Sequence, residues 1–147
     1  MRALKGFTLL EFLVTLLIVS FALLGIAALI GNSLKYNQSA GYRSEAVILA
    51  GDIIDRMRAN RTAAEGTNPS PYTLGIAAAT PTCGVASTIA ACDLQIWRSE
   101  LATSFPSGTG SVALDAATNK VTVVVRWNDA RVERGSSTQT VTIETRL

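Results

Sequence analysis

The sequence predicts an α+β protein, in which a long N-terminal helix packs on a small antiparallel sheet with one short additional helix. Three observations support this fold class. An apolar run occupies residues 7–30, helical periodicity continues to residue 61, and alternating apolar residues recur in the last third of the chain. The 147 residues suffice for one small domain with an appendage. A formal net charge of +2, dispersed along the chain, argues against a nucleic-acid binder.

The apolar run is long enough to cross a membrane. Residues 7–30 lack proline and carry one charge, Glu11, and about 20 apolar residues span a bilayer as a helix. Arg2 and Lys5 precede the run, and basic residues stay on the cytoplasmic side of a membrane. We therefore expect the N-terminus to lie inside the cell and residues 31–147 to lie outside.

A secretory signal peptide and a plain membrane anchor are the alternatives for this segment. The apolar core of a signal peptide has only about 7–15 residues and ends in small residues, whereas Ala27-Ala28 is followed here by Leu29-Ile30. Neither alternative explains Glu11, because a carboxylate inside an apolar span costs about 2.5–3.5 kcal/mol on insertion scales. A glutamate near the membrane surface costs less, but the default interpretation of such a residue is a functional one.

The residues before Glu11 resemble the type IV prepilin signature. The stretch reads Lys5-Gly6-Phe7-Thr8-Leu9-Leu10-Glu11; in that family a short basic leader ends in Gly, the apolar helix starts with Phe, and Glu follows four residues later. The resemblance implies that a membrane peptidase cuts between Gly6 and Phe7 and methylates the new amino terminus of Phe7. The new ammonium group would be buried among apolar helices, so Glu11 of a neighbouring subunit would pair with it and set the axial register.

The helix is expected to continue beyond the membrane as an amphipathic segment. Between residues 45 and 61, apolar residues recur at steps of three and four, with charged residues between them. The apolar stripe expected to pack on the globular domain comprises Ala46, Val47, Ala50, Ile53, Ile54 and Met57. Arg56, Arg58 and Arg61 lie near the expected helix end, where the helix dipole favours cations. The run Asp-Arg-Met-Arg-Ala-Asn-Arg at residues 55–61 is similar to a run in the PilV-type minor pilins. The helix cap and a neighbouring minor pilin are the candidates for what these arginines contact.

The resemblance to a PilV-type minor pilin implies a structural subunit, neither an enzyme nor a cofactor-binding protein. Such a subunit inserts in the inner membrane, is cleaved after Gly6, and joins or primes a type IV pilus that supports adhesion and twitching motility. Its partners would be other major and minor pilins, the prepilin peptidase and the inner-membrane assembly platform. After assembly it would lie at the cell surface. The alternative is a minor pseudopilin of a type II secretion system, whose N-terminal segment would look the same.

The chain therefore divides into four expected parts. They are a leader at residues 1–6, a transmembrane and fibre-core half of the helix at residues 7–30, an amphipathic half at residues 31–61, and a periplasmic globular domain at residues 62–147.

Cys83 and Cys92 are the two cysteines of the chain. Both lie outside the cytoplasm in the expected topology, so a disulfide in an oxidising periplasm is predicted. Their spacing is longer than that of a Cys-x-x-Cys redox motif, and too few soft ligands accompany them for a zinc site. We expect no metal site, and the lack of histidine excludes Ser-His-Asp and Cys-His catalysis.

The globular part is expected to begin as a loop over residues 62–92. Asp93 should cap a short helix that ends at Pro106, Gly108 and Gly110. The apolar side of that helix should comprise Leu94, Trp97, Leu101 and Phe105. Alternating residues then predict three antiparallel strands, around residues 112–114, 121–128 and 140–146, with an exposed connection over residues 129–137.

Two other functions find weaker support in the sequence. A tethered enzyme would need carboxylates in an acid/base pair, and no recognisable spacing occurs among Asp93, Glu100, Asp115 and Asp129. Capture of DNA would need a basic patch, for which the candidates are Arg126, Arg131, Arg134 and Arg146. Acidic residues are interspersed with these arginines, which favours a mixed solvated face. We therefore expect no nucleic-acid partner.

Overall fold

The computed structural model describes residue 6 and residues 8–130 and 137–147. It confirms the predicted α+β class. The elements in that part of the chain are α1 (Leu9–Ala59), α2 (Arg61–Glu65), α3 (Ile89–Ser104), β1 (Thr109–Asp115), β2 (Lys120–Asn128) and β3 (Thr138–Arg146). The chain divides into two compact units, Met1–Gln38 and Ser39–Leu147.

The first unit contains the N-terminal part of α1. Thr8 precedes this helix, and its hydroxyl oxygen accepts a hydrogen bond of 3.3 Å from the main-chain N–H of Glu11. Such a contact satisfies one of the free donors at a helix start. The side chains of residues 9–38 are exposed. Among the described helices, α1 is the one long and apolar enough to cross a membrane, by length and composition.

In the second unit, the last turns of α1 bury an apolar stripe at steps of three and four residues, as predicted. The buried residues are Ala46, Ala50, Ile53, Ile54 and Met57. Val47, which was expected in the same stripe, is 49% exposed. The helix ends at Ala59, and Asn60 separates it from the short helix α2. The expected loop over residues 62–92 is therefore wrong at both of its ends, because α2 continues to Glu65 and α3 begins at Ile89.

The three strands form one antiparallel sheet with β2 in the centre. Residues of β2 alternate as predicted, because one side chain in two faces the core. The buried residues of this strand are Val121, Val123, Val125 and Trp127. They share a single core cluster with the buried residues of α1 and α3. The sheet face that is turned to the core therefore joins the strands to both long helices of this unit.

Aromatic residues close one end of this core. Phe105 stacks on Trp127 with ring centroids 5.3 Å apart, and Tyr42 of α1 meets the same phenylalanine edge-on at 5.6 Å. Leu74 lies at the outer edge of β1, where it exchanges two main-chain hydrogen bonds of 2.8 and 2.9 Å with Val112. This bridge ties the loop before α3 to the sheet.

The start of α3 differs from the prediction. Thr88 caps the helix, and its hydroxyl oxygen accepts a hydrogen bond of 3.2 Å from the N–H of Ala91. Asp93, the predicted cap, lies inside the helix, where its carboxylate contacts Tyr72 instead. The helix ends as expected just before Pro106, with the N–H of Phe105 donating to the Leu101 carbonyl at 3.1 Å.

Two further expectations are corrected by the structure. Gly110 belongs to β1 rather than to the end of α3, and the ring of Trp97 packs directly on it. Asp129, expected in an exposed connection, is only 2% exposed because its N–H pairs with the Ser137 carbonyl at 2.7 Å and extends the ladder between β2 and β3. The remainder of that connection, with Arg131, Glu133 and Arg134, lies outside the described residues.

Candidate functional site

The residues predicted for cleavage and assembly lie at the beginning of α1. Gly6 is exposed, and Phe7 lies outside the described residues. Glu11 occupies the first turn of the helix, where a carboxylate opposes the positive end of the helix dipole. Its neighbours Leu10 and Phe12 are 73% and 56% exposed. The helix thus presents one carboxylate within a largely apolar surface.

Cys83 and Cys92 form a disulfide, as predicted. The bond fastens the loop before α3 to the first turn of that helix, and the N–H of Cys83 donates to the side-chain oxygen of Gln95. The Ser87 hydroxyl braces the enclosed loop by accepting from the N–H of Gly84 at 2.8 Å and donating to the Thr82 carbonyl at 3.0 Å. The loop between the cysteines is therefore fixed to α3 at both ends.

The arginine run at the end of α1 makes its contacts within the chain. The Nε of Arg56 lies 2.7 Å from Asp52 in its own helix, while its two Nη atoms lie 3.6 Å from Asp93 and 3.8 Å from Glu100 in α3. Burial alone lowers the pKa of Arg56, but the hydrogen bond to Asp52 and the attraction of all three carboxylates raise the pKa above its ordinary value. Arg56 is consequently an electrostatic bridge between α1 and α3.

The other two arginines of the run are more exposed. Arg58 pairs with Asp55 at 2.9 Å and also donates to the Thr145 hydroxyl at 3.3 Å, which connects the end of α1 to β3. Arg61 pairs with Glu65 at 2.9 Å within the short helix α2. The run therefore fastens the helix end to two other elements of its own unit.

A buried tyrosine extends the contacts of Arg56. The hydroxyl of Tyr72 donates to Asp93 at 2.6 Å and accepts from the side-chain amide of Asn60 at 3.1 Å. Burial and the bond to the Asp93 carboxylate together raise the pKa of Tyr72 to about 12, although the Asn60 donor opposes this shift. No sequence pattern points to Asn60 or Tyr72. The one signal is that Tyr72 is a single aromatic residue inside a segment of small and polar residues.

The carboxylates considered for catalysis are not gathered at one place. Asp93 and Glu100 face Arg56, whereas Asp115 ends β1 and accepts hydrogen bonds from the Thr118 hydroxyl at 2.7 Å and the Ala117 N–H at 3.0 Å. These bonds lower the pKa of the Asp115 carboxyl group. Within the described ranges, no group of three His, Cys, Asp or Glu side chains is arranged to hold a metal ion.

The arginines considered for DNA capture are partly described. Arg126 of β2 and Arg146 of β3 are exposed, and they alternate with buried residues in β2 and with partly buried residues in β3. They therefore lie on the face of the sheet that is turned away from the core. The register pairs Arg126 with Thr140 and Arg146 with Lys120, so these two arginines lie near opposite ends of that face. Arg131 and Arg134 lie outside the described residues.

Comparison of the chain with protein-family models, with curated proteins and with solved structures gave no significant match.

Proposed function

We propose that this chain is a minor structural subunit of a type IV pilus, of the PilV type, which is cleaved after Gly6 and assembled through α1. The observation that carries the proposal is the first half of this helix, where a long exposed apolar surface includes the carboxylate of Glu11 in its first turn. Such a surface is unfavourable in water, because burying a large apolar side chain stabilises it by about 1.5–3 kcal/mol relative to leaving it exposed. The surface is suited to a membrane before assembly and to packed helices afterwards.

Glu11 has a specific role in this proposal. Cleavage would create an ammonium group at Phe7, and that charge would become buried when apolar helices pack side by side. An uncompensated buried charge costs several kcal/mol, so a carboxylate from the next subunit is needed to offset it. Glu11 supplies that carboxylate in one axial register only, which would make the pair a selector of register during assembly.

The second unit would remain outside the inner membrane, in the periplasm and later at the cell surface. Its disulfide suits an oxidising compartment. Its partners would be major and minor pilins and the assembly platform, with the prepilin peptidase acting once. This proposal assigns the chain a structural role without catalysis.

Cleavage is tested by measuring the intact mass of the membrane-inserted chain expressed with and without a prepilin peptidase. We expect the peptidase to remove residues 1–6 and to add one methyl group to Phe7. Gly6→Val should block both changes, whereas Gly25→Ala, a glycine change inside the apolar helix, should leave them intact. Cleavage beyond the apolar run, or a retained leader, would contradict the proposal.

Assembly is tested by recovering sheared fibres from cells that carry a complete pilus system. Glu11→Gln should be cleaved normally but should be lost from the fibres, while the nearby Thr15→Ala should be incorporated like the parent chain. Recovery in the fibres of a type II secretion system, and not in pili, would support the pseudopilin alternative and reject the pilus assignment.

A further inference from the structure

A groove of about 360 Å³ lies between α3 and the loop that precedes it. Its lining residues are Thr80, Gln95, Arg98, Ser99, Ala102 and Gly108. Four of them lie on α3 at spacings of three, four and seven residues, so they share one helix face. The volume is within the range of small-molecule sites, about 300–1,000 Å³.

Arg98 is the one charged residue that lines this groove. Its Nη2 donates to the main-chain carbonyls of Gly75 at 2.7 Å and Ile76 at 3.4 Å, which fixes the guanidinium against the loop. Its Nε is shut off from solvent and finds no acceptor in the described part of the chain. These two carbonyls are neutral, so they hold the guanidinium in position without compensating its charge.

The carboxylates of α3 are directed to the other flank of the helix. Asp93 and Glu100 both pair with Arg56, and at about 100° per residue they lie about 140° and 160° around the helix axis from Arg98. No carboxylate of the described residues lies within 4.0 Å of the Arg98 nitrogens. Burial correspondingly lowers the pKa of Arg98, although an arginine keeps its charge at physiological pH.

Polar groups beside Arg98 complete the donor set. The side-chain oxygen of Gln95 accepts from the N–H of Cys83, which leaves the amide NH₂ group as a donor. Thr80 contributes a hydroxyl group, whereas the Ser99 hydroxyl is already donated to the Ile96 carbonyl at 2.7 Å and is no part of the donor set. Ala102 gives the groove an apolar wall. Gly108 also lines the groove, and a Cβ at this position would collide with the Leu101 carbonyl oxygen, so no side chain fits here.

We propose that this groove binds a small anionic ligand whose carboxylate or phosphate group pairs with Arg98. A guanidinium forms charge-assisted, often bidentate hydrogen bonds with either group. The position of Arg98 is already fixed by the loop carbonyls, so little side-chain entropy is lost on binding. This site is separate from the assembly role of α1. Ligand binding is measured on the unassembled chain, so a lack of binding would leave the pilus proposal unaffected.

The test uses the full chain in neutral detergent micelles, labelled with ¹⁵N-arginine, and follows the side-chain Nε–H signal of Arg98 during titration. The probes are glucuronate, glucose 6-phosphate and uncharged glucose. We expect at least one of the two anions to shift the signal in a saturable manner and glucose not to do so. A response to glucuronate alone identifies a carboxylate ligand, and a response to the phosphate alone identifies a phosphate ligand.

Variants of Ser99 test the charge without disturbing the contacts of Arg98. Ser99 is exposed, and in the part of the chain that the structure describes its hydroxyl donates to the Ile96 carbonyl of its own helix and not to Arg98. Ser99→Asp places a carboxylate beside Arg98 and should weaken anion binding at least about tenfold, while Ser99→Asn should change it less than about twofold. Arg126→Gln on the sheet should leave binding intact. Equal binding by the two Ser99 variants, or equal shifts with glucose, would overturn the proposal.

Discussion

Trp97 of α3 donates its indole N–H to the main-chain carbonyl of Leu49 in α1, with 2.8 Å between the nitrogen and the oxygen. The ring is fully buried, and it packs on Gly110 of β1. One side chain therefore connects both long helices and the sheet. This contact and the ion pairs of Arg56 lie on the same flank of α3, and together they fix how α3 meets the end of α1.

Replacement of Trp97 by phenylalanine should destabilise the second unit by about 1–2 kcal/mol, because it removes one buried hydrogen bond and some packing. Trp97→Ala should cost about 3–5 kcal/mol, since most of the ring is lost as well. The measurement is urea unfolding of the full chain in neutral detergent, followed by near-ultraviolet circular dichroism. Ile96→Ala, on the more exposed side of the same helix, is the control. Similar losses for Ile96→Ala and Trp97→Phe would contradict this assignment.

Arg56→Gln should cost more stability than Arg61→Gln. The side chain of Arg56 is 27% exposed and faces three carboxylates, whereas that of Arg61 is 55% exposed and has a single partner in its own helix. Losing charge-assisted bonds that are partly buried costs about 1–3 kcal/mol, and an exposed pair contributes about 0–1 kcal/mol. Unfolding in urea at neutral pH, at low and at high salt, measures both differences. Equal effects of the two variants would show that Arg56 is no bridge between helices.

These contacts mark where prediction from the sequence reaches its limit. The periodicities of α1 and β2 follow from local spacing, so their buried residues could be predicted from the sequence. The exception is Val47, which was expected to be buried but is exposed. The partners of Arg56 lie on another helix, and the cluster of Asn60, Tyr72 and Asp93 joins three separate segments. No local pattern encodes such a meeting. The cysteine pair was predictable because the chain has only two cysteines and the topology expected from the sequence puts both outside the cytoplasm.

The start of α3 shows a different kind of limit. The apolar stripe that begins at Leu94 favours Asp93 as the cap, but the helix begins earlier and Thr88 is its cap. Tertiary contacts decide between them, because Asp93 is engaged by Tyr72 and Arg56. Asp129 was likewise expected to be exposed, because the connection over residues 129–137 carries several charged residues. The sheet ladder in fact extends to Asp129 and Ser137, and Asp129 is buried.

Tyr72 should make stability fall in alkaline solution. Its pKa is about 12 in the folded chain and about 10 when unfolded. The folded state therefore favours the neutral phenol over the phenolate. The contribution of Tyr72 to the free energy of unfolding is fully present below pH 10 and is lost as the pH rises towards 12. The lost stability amounts to about 2–3 kcal/mol. Urea unfolding between pH 9 and 12 should show this loss in the parent chain and in Tyr36→Phe, an exposed control, but much less of it in Tyr72→Phe.

Glycine substitutions should separate positions that need the absence of a side chain from positions that do not. A Cβ at Gly110 would collide with the Trp97 ring and the Val124 carbonyl, so Gly110→Ala should cost about 1–3 kcal/mol through overpacking. A Cβ at Gly51 meets open space in the C-terminal part of α1. Gly51→Ala should therefore stabilise the chain by up to about 1 kcal/mol, because alanine favours a helix over glycine. Thermal unfolding of both variants in detergent shows directly whether each substitution raises or lowers the stability. Lower stability of Gly51→Ala would show that other atoms contact this helix face in the folded chain. Unchanged stability of Gly110→Ala would contradict the close packing of Trp97 on β1.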